Sequence, residues 1–454
     1  MPQVAPTLTD PVAANASQVL GGPLGRWARS GSPARALQVV LAGGALTFGL
    51  GALRTLPCAL DGWSVPGRYE ALCYSDIPIL YTLRGIADGG LPYLDNGTQP
   101  LEYPVLTGLF TWFAGLFVAP DNAAGYYWVS VLLLLACFLV ALAATAMTVS
   151  FRVWDGLLLA LAPSVFLASC INWDWLAVGL TAVALLAWAR ERPVIAGVFL
   201  GLAIAAKFYP LLLLGPLALL CWRRRRMVAF ARAAAAAALA WLVVNLPFAL
   251  ASPDGWSYFF RFSSERGQDF GSVWLALSIL GWQVDPDALN LVAAAALGIA
   301  CLGIAALILA PRRPPRLAQV AFLVVAAFLV TNKVYSPQFV LWLLPLAVLA
   351  RPRWRDFLIW QAAEVVYFVA IWWYLVELTP DVEGLAERQY AWAILIHIAG
   401  TVYLAAVVIR DILRPDADPV RADPVDAASP PTGFDDPGGG VLDGAPDRYS
   451  RPTT

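Results

Sequence analysis

The stretch GYYWVSVLLLLACFLVALAATAMTVS, residues 125–150, decides the fold class, because it is apolar over more than a membrane span and carries no charged side chain. About 20 apolar residues in a helix cross the hydrocarbon core of a bilayer. Similar runs recur between residues 36 and 413, and the chain is 60% hydrophobic and 13% charged, with a mean hydropathy of +0.68. We therefore expect an all-α polytopic membrane protein.

The same apolar runs set the domain boundaries. Residues 1–35 and 414–454 are polar and rich in Pro, Gly, Ala or Asp, which predicts two disordered tails. Residues 36–413 then form the transmembrane domain, with about 12 spans. Within it, residues 54–103 form a long polar loop. The next apolar segment, 104–119, is short and begins with a proline, so we interpret it as re-entrant or interfacial; a full crossing there would add one span.

Arginines mark one side of the predicted membrane domain. Positive residues near span ends favour the cytoplasmic side, so both tails and the arginine-bearing loops should be cytoplasmic. The polar motifs between them should then face outward from the cytoplasmic (inner) membrane. The arginines used for this orientation are Arg26, Arg29, Arg35, Arg152, Arg190, Arg192, Arg223–Arg226, Arg312, Arg313, Arg316, Arg351, Arg353, Arg355, Arg410 and Arg414.

The loop 54–103 contains a predicted surface helix. Ser75-Asp76 precedes the amphipathic stretch 77–87, which is too polar to span and is typical of a helix lying on the membrane. Asp76 is either a catalytic carboxylate or an acid that stabilises the helix N-terminus by about 1 kcal/mol. Cys58 and Cys73 lie in the same loop. In an oxidising compartment they would form a disulfide, worth roughly 3 kcal/mol.

Only two of the 30 Lys and Arg residues are lysines, Lys207 and Lys333. They occur in the similar contexts Lys-Phe-Tyr-Pro (207–210) and Lys-Val-Tyr-Ser-Pro (333–337), each at the edge of an apolar run. Both breaks are typical of discontinuous helices that line a polar cavity. A cation at such a place is a functional candidate; the alternative is a lysine at a helix end whose ammonium snorkels to water.

Five motifs carry a resemblance to a known family: CYSDI (73–77), GLPY (90–93), LEYPV (101–105), KFYP (207–210) and NKVYSPQFVLW (332–342). With these motifs the chain resembles membrane glycosyltransferases of the GT-C superfamily. The most similar pattern is that of glycosyltransferase family 87, the polyprenyl-phosphate-mannose-dependent mannosyltransferases of actinobacteria. The resemblance covers residues 36–410. It implies a GT-C-like helical bundle, a polyprenyl-phosphate sugar donor, and a glycolipid or glycan acceptor.

The resemblance also implies roles for charged residues. Asp76 matches the general base by position, so it would take the acceptor's proton while the sugar inverts; Glu102 is the second candidate. The leaving lipid phosphate requires cations, which Lys207 and Lys333 would supply. Further predicted donor-phosphate contacts are Arg261, Arg266, Tyr209, Tyr335, Ser336 and Gln338.

A third group of residues is predicted to bind the sugar or acceptor. Trp faces stack on sugar rings, while Asn and Asp bind hydroxyl groups, but an interfacial aromatic belt with a capping Asn or Asp explains the same residues. The single histidine lies inside the last span, where a buried structural role is the alternative. The group comprises Asn172, Trp173, Asp174, Tyr103 and His397.

Several classes of chemistry lack a sequence signal. There is no Walker motif and no Gly-rich dinucleotide fingerprint, and a net charge of −1 gives no indication of a nucleic-acid partner. One histidine and no close acidic pair cannot build a zinc site. We expect no cofactor, although a divalent cation held by carboxylates and donor phosphate stays an open alternative.

Three alternatives to the mannosyltransferase hypothesis remain. A secondary transporter or flippase of lipid-linked sugars would share the broken helices and intramembrane charges, but it has no need of an acidic first loop. A non-catalytic scaffold of the cell envelope is a second alternative. The third keeps the enzyme and changes the sugar to arabinofuranose.

Overall fold

The computed structural model describes residues 3–22, 31–94, 100–422 and 435–449, and every regular element in these ranges is helical. This confirms the predicted all-α fold class. For the tail residues 1–2, 23–30, 423–434 and 450–454, the prediction of disorder lies outside the described residues.

The α-helices follow one another in the chain as α1 (Pro6–Thr9), α2 (Pro11–Gly21), α3 (Pro33–Arg54), α4 (Leu56–Leu60), α5 (Gly67–Glu70), α6 (Asp76–Leu83), α7 (Val105–Gly115), α8 (Ala123–Thr148), α9 (Gly156–Ala160), α10 (Pro163–Ala168), α11 (Asp174–Ala189), α12 (Pro193–Ala206), α13 (Leu214–Arg223), α14 (Met227–Ala251), α15 (Pro253–Glu265), α16 (Val273–Ile279), α17 (Pro286–Leu309), α18 (Leu317–Thr331), α19 (Val340–Ala350), α20 (Trp354–Glu377), α21 (Glu387–Leu413) and α22 (Pro419–Ala422). Short 3₁₀ turns occur at Ile86–Asp88, Val153–Asp155, Tyr209–Leu213, Pro337–Phe339, Pro415–Ala417 and Gly440–Leu442.

Within the described residues, six helices are long and apolar enough to cross a membrane: α3, α8, α14, α17, α20 and α21. Shorter apolar helices accompany them, and they include α11, α12 and α18. The chain is therefore a multi-pass membrane protein, as expected. The count of about 12 spans stays a prediction.

The two lysine motifs interrupt helices, as the sequence predicted. Helix α12 ends at Ala206, Lys207 is extended (φ −149°, ψ 148°), and a 3₁₀ turn containing Pro210 follows. Helix α18 ends at Thr331, and the chain stays extended at Ser336 (φ −59°, ψ 150°) before Pro337. Proline has no N–H to continue a helix, and Pro337 also favours the extended conformation of Ser336 before it. Pro210 lies inside the 3₁₀ turn that follows the extended Lys207.

Helix α7 is too short to cross a bilayer, since its 11 residues span about 16 Å. The position of Arg152 agrees with this interpretation. Its guanidinium donates to the carbonyl of Pro419 (3.3 Å), and the neighbouring Phe151 carbonyl accepts from the amide of Val4 (2.8 Å). Arg152 therefore lies at the same end of the bundle as both terminal segments, as it should if segment 104–119 does not cross.

The prediction of disordered tails does not hold for the described parts. Residues 6–21 contain helices α1 and α2, and residues 435–449 pack on one end of the bundle. The Asp447 carboxylate lies 2.8 Å from the Arg223 guanidinium, and the Trp188 indole donates to the Gly439 carbonyl (2.9 Å). Composition indicated disorder because it cannot show that the acidic tail has arginine partners on distant helices.

Helices α12 and α14 make a close crossing built from small residues. A Cβ on Gly197 would lie 2.1 Å from the Ala233 carbonyl oxygen, and one on Gly201 would lie 2.2 Å from that of Ala237. This four-residue spacing is the small-residue pattern that lets membrane helices approach closely. The crossing fixes the position of Lys207, which follows directly after α12.

We predict that Gly201→Val lowers the apparent melting temperature of the detergent-solubilised protein, because overpacking such a contact costs about 1–3 kcal/mol. Gly298→Val is the matched control, since it makes the same change in exposed helix α17 with no atom within 4 Å of the new Cβ. A thermal-shift measurement compares the two variants. Equal melting temperatures would contradict the close α12–α14 crossing.

Candidate active site

Helix α6 places Asp76 over the bundle. Ser75 is its N-cap, and its hydroxyl accepts from the amide of Ile77 (3.2 Å) while donating to the carbonyl of Cys170 (2.7 Å). The amide of Asp76 itself donates to the carbonyl of Ile171 (2.7 Å). The predicted helix start is confirmed, and it is fixed to the segment that precedes α11.

A disulfide lies just before this helix start. Cys58 and Cys73 are joined, and the indole of Trp63 donates to the Cys73 carbonyl (3.2 Å). The crosslink connects the end of the first span to the residues that position α6, so it restrains the loop that carries Asp76.

Asp76 is half-buried as a residue, and its carboxylate lies among other charged groups. The hydroxyl of Tyr74 donates to its Oδ1 (2.8 Å). Burial raises the pKa of Asp76 from its ordinary 3.8 to about 6; the Tyr74 hydrogen bond and Lys207 oppose the shift, while Glu102 and Asp174 add to it. A carboxylate with a pKa close to neutral pH has the basicity of an efficient general base.

Lys207 forms an ion pair with Asp174, with 2.8 Å between Nζ and Oδ1; the Asp174 side chain is fully buried. The same ammonium lies 4.5 Å from the ring centre of Tyr103 and 5.8 Å from those of Phe339 and Trp342. Aromatic faces attract a cation, so these three rings form a cage around Lys207. The cage brings together both helix breaks.

The stretch 172–175 positions the partner of Lys207. The Asn172 side chain accepts from the amide of Asp174 (3.0 Å), and Asp174 is the first residue of α11, where the helix dipole favours a negative charge. Trp173 packs edge-on against Tyr103, with ring centres 5.8 Å apart. Binding of sugar or acceptor by these residues stays a prediction, and the contacts in the structure are with Lys207 and its cage.

Glu102 is engaged by a cation that the sequence reasoning missed. Its carboxylate lies 2.7 Å from the Nε of Arg84, the residue after α6, and both side chains are largely buried. No ion pair of Asp76 occurs among the described residues. Of the two predicted bases, Asp76 is therefore the one without a cationic partner in direct contact. Nothing near Arg84 in the sequence indicates its pairing.

Lys333 belongs to a second cluster. Its ammonium donates to the carbonyl of Ser264 (2.9 Å) and to the side-chain oxygen of Asn290 (2.5 Å), and burial, with Arg266 nearby, lowers its pKa. Arg266 is paired with Asp269 (2.6 Å). In the described part of the chain, no contact joins Lys333 to the carboxylates around Lys207. The two lysines have similar sequence contexts, but their surroundings in the structure are different.

The remaining predicted phosphate contacts are distributed over the bundle. Arg261 is exposed, 3.6 Å from Asp254. Tyr209 is buried, donates to Thr181 (3.3 Å) and stacks on Trp342 with ring centres 4.6 Å apart. Ser336 precedes the turn Pro337–Phe339, in which Gln338 is buried. Tyr209 contacts the cage around Lys207 through this ring stacking, whereas the Ser336 carbonyl accepts from the amide of the cage residue Phe339 (2.9 Å).

His397 and Tyr335 lie in a buried network of α20 and α21. The Nδ1 of His397 is 2.9 Å from Glu364, and the Tyr335 hydroxyl is 3.1 Å from that of Thr401. The imidazole packs between Tyr335 and Tyr367, with ring centres 4.0 and 4.3 Å away. These contacts favour the structural alternative for His397.

Residues 101–331 match the family model described as "Glycosyltransferase family 87". The chain belongs to glycosyltransferase family 87. This confirms the resemblance drawn from the sequence motifs. The matched range contains Glu102, Asp174 and Lys207, whereas Asp76 and Lys333 lie outside it.

Two solved structures are similar to this family 87 protein. ArnT from Cupriavidus metallidurans, bound to undecaprenyl phosphate, has 15% identity and a TM-score of 0.44, over 80% of this chain and 77% of that one. The archaeal oligosaccharyltransferase AglB from Archaeoglobus fulgidus, in complex with an inhibitory peptide and a dolichol-phosphate, has 14% identity and a TM-score of 0.41. That match covers 83% of this chain and 56% of AglB. No curated protein sequence matches the chain.

We predict that sugar transfer by this family 87 protein falls as the pH drops through about 6, because protonation removes the Asp76 carboxylate. Tyr74→Phe should move this acidic limb to higher pH, since the Tyr74 hydroxyl stabilises the ionised form. Initial rates against pH provide the measurement. Tyr69→Phe is the control, because Tyr69 stacks on Tyr74 (5.9 Å) and its hydroxyl contacts Arg68 instead. An acidic limb near pH 4, as for an ordinary carboxylate, would contradict this account.

Proposed function

We propose that this protein is an inverting glycosyltransferase that moves a sugar from a polyprenyl-phosphate donor to a glycolipid or glycan acceptor, with mannose as the sugar. The observation that supports this most directly is that one cluster contains both a carboxylate that can accept a proton and an ammonium that can bind a phosphate. Asp76 offers a basic carboxylate, and Lys207 offers a caged ammonium that interacts electrostatically with it. Asp76 lies in the CYSDI motif and Lys207 opens the KFYP motif, two of the motifs that carry the resemblance to this family.

In the proposed reaction, Asp76 accepts the proton of the acceptor hydroxyl. The acceptor oxygen forms a bond to the anomeric carbon while the bond from that carbon to the phosphate oxygen breaks. The electron pair of the broken bond leaves with the lipid phosphate, so the configuration inverts. A pKa of about 6 leaves Asp76 ionised at neutral pH, yet basic enough to take the proton as it is released.

Lys207 is proposed to stabilise the departing phosphate. Its ammonium pairs with Asp174 and retains 12% side-chain exposure beside Tyr103. A phosphate that approaches can share this ammonium, because a lysine offers three donors on a compact charge. The ammonium would then stabilise the negative charge that develops on the leaving oxygen. This stabilisation is strong because the site contains little water.

The other predicted residues receive supporting roles. Glu102, paired with Arg84, is proposed to orient the loop that carries Asp76 and to add negative charge near it. Lys333 and Arg266 stay proposed contacts for the donor, at a place separate from Lys207. No cofactor is proposed, because Glu102 and Asp174 each already have a cationic partner.

The proposed location is the cytoplasmic membrane, with the active site facing outward and both tails inside. Arg152, Arg223 and Arg316 contact the terminal segments at one end of the bundle. Lys207 and Asp174 lie at the other ends of α12 and α11. An arginine-rich end is typical of the cytoplasmic side.

The experiment is transfer of labelled sugar to endogenous lipids in membranes that contain the wild type or Asp76→Asn. We expect at least about a hundredfold loss of transfer in the variant, since a general base contributes 10²–10⁴-fold. Asp88→Asn is the matched control, an exposed aspartate in the same loop. Equal transfer by Asp76→Asn would contradict its role and favour Glu102.

A parallel assay with two donors, polyprenyl-phosphate mannose and polyprenyl-phosphate arabinofuranose, identifies the sugar. Product from the arabinofuranose donor alone would contradict mannose.

We also predict that the double variant Lys207→Met with Asp174→Asn folds but loses transfer. The single Lys207→Met leaves Asp174 buried and unpaired, so it should lower the free energy of unfolding by about 3–5 kcal/mol. Removing both charges avoids this penalty while deleting the ammonium. Transfer and melting temperature are measured for both variants; a folded double variant with wild-type transfer would contradict the role of Lys207.

A further inference from the structure

An open cavity of about 650 Å³ lies at the end of the bundle opposite the site just described. Its walls come from the start of α12, the start of α14 and the C-terminal segment 435–449. Helix α12 separates it from Lys207 by 14 residues, or about 21 Å. The cavity is therefore spatially separate from the proposed transfer site.

Arginines dominate the polar part of this cavity. The guanidinium groups of Arg225 and Arg232 have no hydrogen-bond or ion-pair partner among the described residues, and both residues are exposed. Two further arginines are fixed by neighbours: Arg226 donates to the Val441 carbonyl (3.1 Å), and Arg448 donates to the Trp222 carbonyl (2.6 Å). Two cations thus line the cavity without a partner in the part of the chain that the structure describes.

Two acidic residues also line the cavity, Glu191 and Asp443. One oxygen of Asp443 is occupied, because it accepts the amides of Asp435 and Asp436 at 2.8 Å each. With four arginines against two carboxylates, the lining carries an excess of positive charge. The chemistry fits an anion that offers several acceptor oxygens, such as a phosphate.

The apolar surface next to the cavity indicates what bears the phosphate. Met227 and Val228 line the cavity at the start of α14, and Val228 is 67% exposed. The same helix continues with the exposed side chains Leu239 and Val243 and is long and apolar enough to span. A ligand with both a phosphate and acyl chains can occupy the cavity and this helix surface together.

We propose that the cavity binds the phosphate of an anionic phospholipid headgroup, with the acyl chains along α14. Segment 435–449 supplies one wall, so binding requires its docking. Gly440 holds this segment in place: its φ is +56°, and a Cβ there would lie 1.9 Å from the carbonyl oxygen of Trp188. Only glycine permits this close approach.

The test is native mass spectrometry of the full-length protein in mild detergent, titrated with phosphatidylglycerol. We expect the double variant Arg225→Gln with Arg232→Gln to bind this lipid at least about tenfold more weakly than the wild type. The matched control, Arg312→Gln with Arg414→Gln, removes two exposed arginines at the same end that lie outside the cavity lining. The control should bind as the wild type does.

Two further arms separate lipid from free anion and test the wall. Millimolar inorganic phosphate should compete weakly, and phosphatidylcholine with the same chains should bind less than phosphatidylglycerol. Gly440→Val should weaken binding with every arginine kept. Equal binding by the wild type and the cavity variant, an equal loss in the control variant, or binding of inorganic phosphate as tight as that of phosphatidylglycerol would each overturn the proposal.

Discussion

The buried ion pair between Lys207 and Asp174 is the constraint around which the rest of the site is arranged. Two charges removed from water are held only if each has its partner, and breaking such a pair is strongly destabilising. The pair requires α12 to end before Lys207 and α11 to begin at Asp174. It also requires the second helix break to bring Phe339 and Trp342 to the ammonium. The close α12–α14 crossing is one way in which this geometry is kept.

The two ends of the bundle differ in the sign of the charged side chains that predominate there. At one end, burial, with a smaller contribution from Glu102 and Asp174, keeps the pKa of Asp76 near neutral, and one ammonium lies close to it. At the other end, arginines outnumber the acids, and the terminal segments add aspartates such as Asp418 and Asp447 to bind them. The proposed transfer site and the attachment of the tail therefore occupy separate regions, so substitutions at one end should leave the other intact.

Local sequence features predicted much of the fold and part of the site. Apolar runs indicated the spans, prolines marked the two broken helices, and Ser75-Asp76 marked the start of α6. The pairings were beyond sequence reasoning, because they join residues far apart in the chain. The sequence pattern predicts sugar binding for Asp174 and gives no sign of its contact with Lys207 or of the pairing between Arg84 and Glu102. The order of residues 435–449 was missed for the same reason, since their partners lie on other helices.

The most direct test of this account is a structure of the protein with a non-reactive polyprenyl-phosphate sugar analogue. The account predicts a phosphate oxygen about 2.7–2.9 Å from the Nζ of Lys207, as in a charge-assisted hydrogen bond, with the anomeric carbon facing Asp76. A phosphate bound at Lys333 and Arg266, with Lys207 still paired only to Asp174, would contradict it. That result would transfer the donor site to the second cluster.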